Sequence, residues 1–169
     1  VGVSAKTGAG IDNLLEMIRK ANMFAVITAR SGPGRGEFAI FGSADWVPAK
    51  YLVDTVWEDE AARRAWESMW MYTAERYRDN PIVVGYDLMC EPNPNARFDI
   101  WNPDDFYAQY KGTGYDWNSW YPNLVKAIRS VDTETPILVG GNSYSSLNWL
   151  PYIQRVDDKR IVYTFHQYD

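Results

Sequence analysis

Residues 82–90, Ile-Val-Val-Gly-Tyr-Asp-Leu-Met-Cys, form a mostly apolar run that ends at Glu91 and is broken at once by Pro92 and Pro94. Such a run, without the in/out alternation of a half-wet strand, predicts a parallel strand buried on both faces. The prolines stop the strand and leave Glu91 at its C-terminal lip. In parallel α/β sheets that end is where side chains from separate strands meet a ligand. Glu91 is therefore the first candidate for a catalytic group, set against the plainer reading of a solvated strand-end residue.

The flanking sequence supplies the rest of an alternating pattern. After a small-residue loop, Val1 to Gly10, the residues Ile11, Leu14, Leu15 and Ile18 share one apolar face and predict a helix over 11–22. Residues 24–29, Phe-Ala-Val-Ile-Thr-Ala, read as a strand closed by the turn-rich Arg30-Ser31-Gly32-Pro33-Gly34-Arg35. That loop runs on through Trp46 and Pro48 to about Trp57, long enough to suggest a functional role. From Asp59 to Arg78, Ala62, Trp66, Met69, Trp70, Thr73 and Tyr77 recur at helical spacing, and the stripe is most simply core. Asn80-Pro81 ends that helix.

Beyond Glu91 the reading is an aromatic-rich loop, Asn93 to Asp116, with a short helix from Pro103 to Tyr110. A helix follows that is capped by Asn118 or Ser119, with Pro122 in its first turn. A strand over Pro136–Gly140, a short helix over Leu147–Arg155 and a strand over Ile161–Phe165 complete the order. Strands alternating with helices imply a parallel sheet, either open and doubly wound or part of a barrel. Polar chemistry stands at three strand ends: Arg30, Glu91, and His166 with Tyr168. A barrel gathers strand ends around one axis, so the expected fold class is α/β, a partial (β/α)8 TIM barrel. A whole one needs about 250 residues, so 169 residues supply about half.

Composition narrows the function. A net charge of -5 without long charge runs argues against nucleic-acid or anionic-membrane surfaces. No apolar segment approaches the roughly 20 residues that span a bilayer. A single Cys and a single His exclude a disulfide framework within the chain and disfavour a Cys/His metal site. Eight Trp and twelve Tyr are many for this length, and exposed rings in a groove can stack on sugars, although most aromatics are core. The chain opens without Met inside what reads as folded sequence, so one domain cut at both ends is expected.

The loop from Arg30 to Arg35, the segment Tyr-Asp-Leu-Met-Cys-Glu-Pro from Tyr86 to Pro92, and Phe-His-Gln-Tyr from Phe165 to Tyr168 together resemble a family 5 glycoside hydrolase. Such enzymes are retaining β-glycosidases on a (β/α)8 barrel, and the resemblance covers nearly all of residues 11–169. It implies that the strands present are the third to the sixth and that Glu91 is the acid/base. It further implies that His166 and Tyr168 line a sugar subsite, with Arg30 near the same floor. The nucleophile glutamate would follow the seventh strand, beyond Asp169, so this chain alone should not turn over. No metal or cofactor is implied; the expected partner is a carbohydrate, the complete protein is expected to be a monomer, and a secreted location is suggested. One departure stands out. The family places Asn just before the acid/base, where its amide can bond the sugar 2-hydroxyl, and here that position is Cys90, a weak donor and acceptor.

Three other readings compete. Val3-Ser4-Ala5-Lys6-Thr7-Gly8 resembles the base-contacting loop of GTPases, but no phosphate cradle of the form GxxxxGK[ST] accompanies it. Cys90 also keeps open a sugar-binding relative without turnover. A Cys90–His166 nucleophilic pair is the third, and it requires a lowered thiol pKa.

Overall fold

The computed structural model describes residues 10–30 and 57–168. Four parallel strands, β1 (Ala25–Thr28), β2 (Val83–Asp87), β3 (Ile137–Gly140) and β4 (Ile161–Thr164), pair in sequential order. The helices are α1 (Ile11–Lys20), α2 (Glu60–Tyr77), α3 (Pro103–Tyr110) and α4 (Tyr121–Arg129). Sequential order leaves no point at which the strand order reverses, and a doubly wound sheet binds its ligand at such a point. The topology is that of a barrel wall.

The helices cover one face of the sheet. Trp66, Trp70, Ala74 and Tyr77 bury the inner side of α2, and Tyr121, Leu124, Val125 and Ile128 that of α4. Met69, assigned to the apolar stripe on spacing, is 38% exposed. Position 74 takes the slot instead, because a helix turns 3.6 residues per revolution and 66, 70, 74 and 77 hold one line. The tryptophans also serve the sheet. Trp70 Nε1 donates to the Leu88 carbonyl at 3.2 Å and Trp117 Nε1 to the Gly140 carbonyl at 3.0 Å. Each satisfies a backbone acceptor where a strand runs out of partners, at the end where the polar residues gather.

The other face is open. Val26, Gly85 and Leu138 pack side by side, with Val162 paired to Leu138, and Val26 and Val162 remain 46% and 47% exposed. Val84 is 40% exposed, so β2 is not buried along its whole length as its apolar run suggests. A barrel fills its interior with layers of such side chains, and here that layer has no cover among the described residues.

Several boundaries differ from the sequence expectation. The helix expected over 11–22 ends at Lys20, with Asn22 in the left-handed region at φ 55°. Pro103–Tyr110 is helical as read, with Asn102 Oδ1 accepting from the Asp104 and Asp105 amides. Asn118 and Ser119 do not cap α4. They lie in a 3-10 turn, Trp117–Ser119, whose own cap is Asp116. Leu147–Tyr152 is a 3-10 turn rather than an α-helix, since Pro151 removes a backbone donor. The GTPase-like loop and the whole segment from Ser31 to Val56, Trp46 and Pro48 included, lie outside the described residues.

Candidate active site

Register builds the site. Thr28 pairs with Asp87, so the residue two beyond Thr28 comes abreast of the strand end that carries Glu91. The Ala29 amide donates to the Asp87 carbonyl at 3.1 Å and the Cys90 amide to the Ala29 carbonyl at 3.0 Å, which carries the pairing past both strands. Arg30 Nη1 then lies 2.7 Å from Glu91 Oε2 and 3.5 Å from Cys90 Sγ. From the far edge, His166 Nδ1 stands 3.0 Å from Glu91 Oε1, and the Tyr168 hydroxyl donates to the same oxygen at 3.4 Å. All five residues singled out from the sequence, Arg30, Cys90, Glu91, His166 and Tyr168, therefore meet at one end of the sheet. They are separated by up to 138 positions in the chain.

The segment after β3 joins the two halves. The His166 amide donates to the Ser145 carbonyl at 2.7 Å, and Ser145 Oγ donates to the Cys90 carbonyl at 3.0 Å. Ser145 can sit there only because Gly140 has no side chain; a Cβ at that position would collide with Ser145 Oγ. Ser143, Tyr144 and Ser145 are three consecutive non-glycine residues in the left-handed region, at φ 55°, 60° and 60°. Each costs roughly 1–2 kcal/mol of backbone strain, so the surrounding contacts must hold them. Contacts of that kind are present: the Tyr144 amide donates to the Pro92 carbonyl, and the Ser143 amide to Asn95 Oδ1, both at 3.0 Å.

The electrostatics are those of a held carboxylate. The Glu91 side chain is 14% exposed, and burial pushes its carboxyl up. The hydrogen bond from His166 and the hydrogen bond and charge of Arg30 outweigh that, leaving Glu91 below the usual carboxylate range. Burial pushes the Cys90 thiol up, Arg30 opposes this, and the charges of Asp87 and Glu91 add to the rise. A thiol so placed is not an activated nucleophile, and His166 Nδ1 is engaged with Glu91 rather than with sulfur.

Two residues near Glu91 escaped the sequence reading. Asp87 accepts from Thr28 Oγ1 at 3.0 Å; burial pushes it up, against the Thr28 bond and the nearby His166. Its position at the end of β2, four residues before Glu91, was the available signal. Tyr144 is the other. The small and polar run Gly140-Gly141-Asn142-Ser143 at a strand end could have pointed to it. Among the described residues no three His, Cys, Asp or Glu side chains cluster as a metal site would require.

Endoglucanase C of Acetivibrio thermocellus is 28% identical over 159 residues, covering 94% of this chain and 38% of that enzyme. The chain thus spans less than half the length of the curated relatives it matches. An endoglucanase structure from Pseudomonas stutzeri superposes with a TM-score of 0.57 at 23% identity, over 90% of this chain and 39% of that one. Endo-glycoceramidase II from Rhodococcus sp. superposes with a TM-score of 0.60 at 18% identity, over 94% and 42%. These likenesses fix the fold as part of a (β/α)8 barrel. The match to the glycosyl hydrolase family 5 cellulases runs over residues 7–169, and the chain belongs to that family.

Proposed function

We propose that the complete protein is a retaining glycoside hydrolase that cleaves β-linked glucan or a similar polymer, with Glu91 as its acid/base. The observation that carries this reading is the convergence of Arg30, His166 and Tyr168 on the one carboxylate at the mouth of the sheet. In such a reaction Glu91 gives its proton to the glycosidic oxygen as the carbon–oxygen bond breaks. A second carboxylate, about 5–5.5 Å away, attacks the anomeric carbon. Glu91 then takes a proton from water, which opens the glycosyl ester.

The lowered Glu91 carboxyl suits the second half of that cycle, where a base is needed. The first half needs a proton on Glu91. A neighbouring negative charge raises a carboxyl, and the nucleophile supplies it until the ester forms and neutralises it. We place that nucleophile outside the described residues, on a strand following Asp169; this chain alone would then bind without turning over. Arg30 and His166 orient the carboxylate, and Cys90 fills the position beside it.

The test is hydrolysis of a soluble β-glucan by the full-length enzyme, with the product anomer followed by proton NMR. A β-anomer formed first supports retention, and an α-anomer formed first refutes it. A second reading, a sugar-binding relative without turnover, draws on the same lowered carboxyl together with Cys90. Tight oligosaccharide binding with no product over days would favour it.

A further inference from the structure

Asp87, the last residue of β2, is a carboxylate on the inner face of the barrel wall with no part in the chemistry assigned to Glu91. Its direction follows from register. On β1, Ala25, Ile27 and Ala29 pack against the helix-covered core, so Val26 and Thr28 point to the open face. On β2, Tyr86 is wholly buried against Trp70, so Gly85 and Asp87 point the other way. Thr28 and Asp87 are paired across the two strands, and Thr28 Oγ1 donates to Asp87 Oδ2 at 3.0 Å. The Met89 amide is a second donor to the same carboxylate. On one side of this pair lies the apolar layer of Val26, Gly85 and Leu138, and on the other the chain leads to Cys90 and Glu91. A charge so placed is costly unless cations or several donors meet it. Both donors to Asp87 are neutral, while Arg30 lies 2.7 Å from Glu91 Oε2 and His166 3.0 Å from Glu91 Oε1. The charge of Asp87 nevertheless reaches the same groups. It acts together with Glu91 on the Cys90 thiol, and it attracts His166, which also holds Glu91. The other titratable groups at this end, among the described residues, are Tyr144 after β3 and Tyr168 after β4; β3 itself meets Asp87 with Leu138.

We propose that Asp87 is a positioning residue for the acid/base proton: its fixed negative charge offsets part of the pull of Arg30 and His166 and so helps Glu91 hold a proton for the leaving oxygen. The physical reason is that one carboxylate disfavours the ionisation of another nearby. The charge of a nucleophile is lost when the glycosyl ester forms, whereas that of Asp87 persists through the cycle. It therefore also makes Glu91 a stronger base toward the water that opens the ester. This inference rests on the reading of Glu91 as the acid/base.

The test is Asp87→Asn in the full-length enzyme, which keeps an acceptor for the Met89 amide and a partner for the Thr28 hydroxyl while removing the charge. On β-glucan the basic limb of kcat/KM, where Glu91 loses its proton, should move about half to one pH unit toward acid. On β-cellobiosyl fluoride, whose leaving group needs little help from a proton, that limb should stay in place. An unmoved limb on β-glucan, or equal losses on both substrates at every pH, would overturn the proposal and leave Asp87 as a clamp between β1 and β2. Coupling between two charges is mutual, so Glu91→Gln should lower the Asp87 carboxyl by a similar amount, read by carbon-13 NMR titration. That titration decides the matter if Asp87→Asn does not fold, and an unmoved Asp87 refutes the coupling. The two failures are distinguishable. If Glu91→Gln cleaves β-glucan as fast as the wild type, the acid/base reading fails and takes the role of Asp87 with it. If Glu91→Gln is slow and Asp87 is unmoved, only the role of Asp87 falls.

Discussion

Charged groups are buried at both ends of the sheet, and the two ends treat them differently. Where the strands begin, Asp132 spends both oxygens on fixed donors: Oδ1 accepts the Glu134 and Thr135 amides at 2.9 Å, and Oδ2 the Tyr86 hydroxyl at 2.9 Å. Beside it Arg129 pairs with Asp158 at 2.6 Å, with side chains 16% and 15% exposed, and donates to the carbonyls of Asp132 and Thr135. Where the strands end, Glu91 is held by an arginine that is 52% exposed, a histidine, and a tyrosine at the edge of hydrogen-bonding range. The first cluster is closed by nearby backbone and mostly short-range partners. The second is closed by side chains from two other strand ends, Arg30 after β1 and His166 and Tyr168 after β4. A barrel uses one end for stability and the other for chemistry, and the density of fixed partners tells them apart.

Breaking the closed end should cost most. Arg129→Ala leaves Asp158 buried without its partner and should destabilise by about 3–5 kcal/mol in chemical denaturation. Asp132→Ala orphans the Tyr86 hydroxyl and two amides, for an expected loss of about 2–4 kcal/mol. Arg30→Ala at the open end should change stability by no more than about 1 kcal/mol, because half of that side chain is already in water. It should nevertheless raise the Glu91 carboxyl, which a carbon-13 NMR titration reads directly. A cost at Arg30 equal to that at Arg129 would erase the distinction between the ends.

Acid sharpens the comparison. At Asp132 and Asp158 burial pushes the carboxyl up, but hydrogen bonds and, for Asp158, the Arg129 charge bring both below the usual range. In the window between the folded and unfolded values the unfolded chain binds more protons than the folded one, so stability rises with pH there. The contribution is complete above the unfolded value near about 4 and is lost as pH falls through the folded values. Asp132→Asn should flatten that acid slope measurably. Glu91→Gln, with its carboxyl lowered for the same kind of reason, should flatten it less.

The backbone of this arrangement was legible in the residues. A run of apolar residues stopped by Pro92, a helix opened by Asn102-Pro103, and strand-ending polar groups at Arg30, Glu91 and His166 each have a local physical cause. What could not be read arises from register. That Arg30 meets both Cys90 and Glu91 follows from Thr28 lying abreast of Asp87, a pairing across 59 positions. The left-handed run through Tyr144 has no local signal, since serine and tyrosine do not favour it; it is imposed by the carbonyls and amides of the neighbouring strand end. Trp70 was assigned to core on spacing, and it is core, but its second task, like that of Trp117, depends on which carbonyl stands above it.

The most direct test of the central claim is the leaving-group dependence of Glu91→Gln in the full-length enzyme. The acid/base assignment predicts a loss of about 10²–10⁴-fold on β-glucan, whose sugar leaving group needs a proton, and a far smaller loss of glycosylation rate on β-cellobiosyl fluoride. Equal rates for variant and wild type on β-glucan would contradict it, and place the chemistry of this site on another residue.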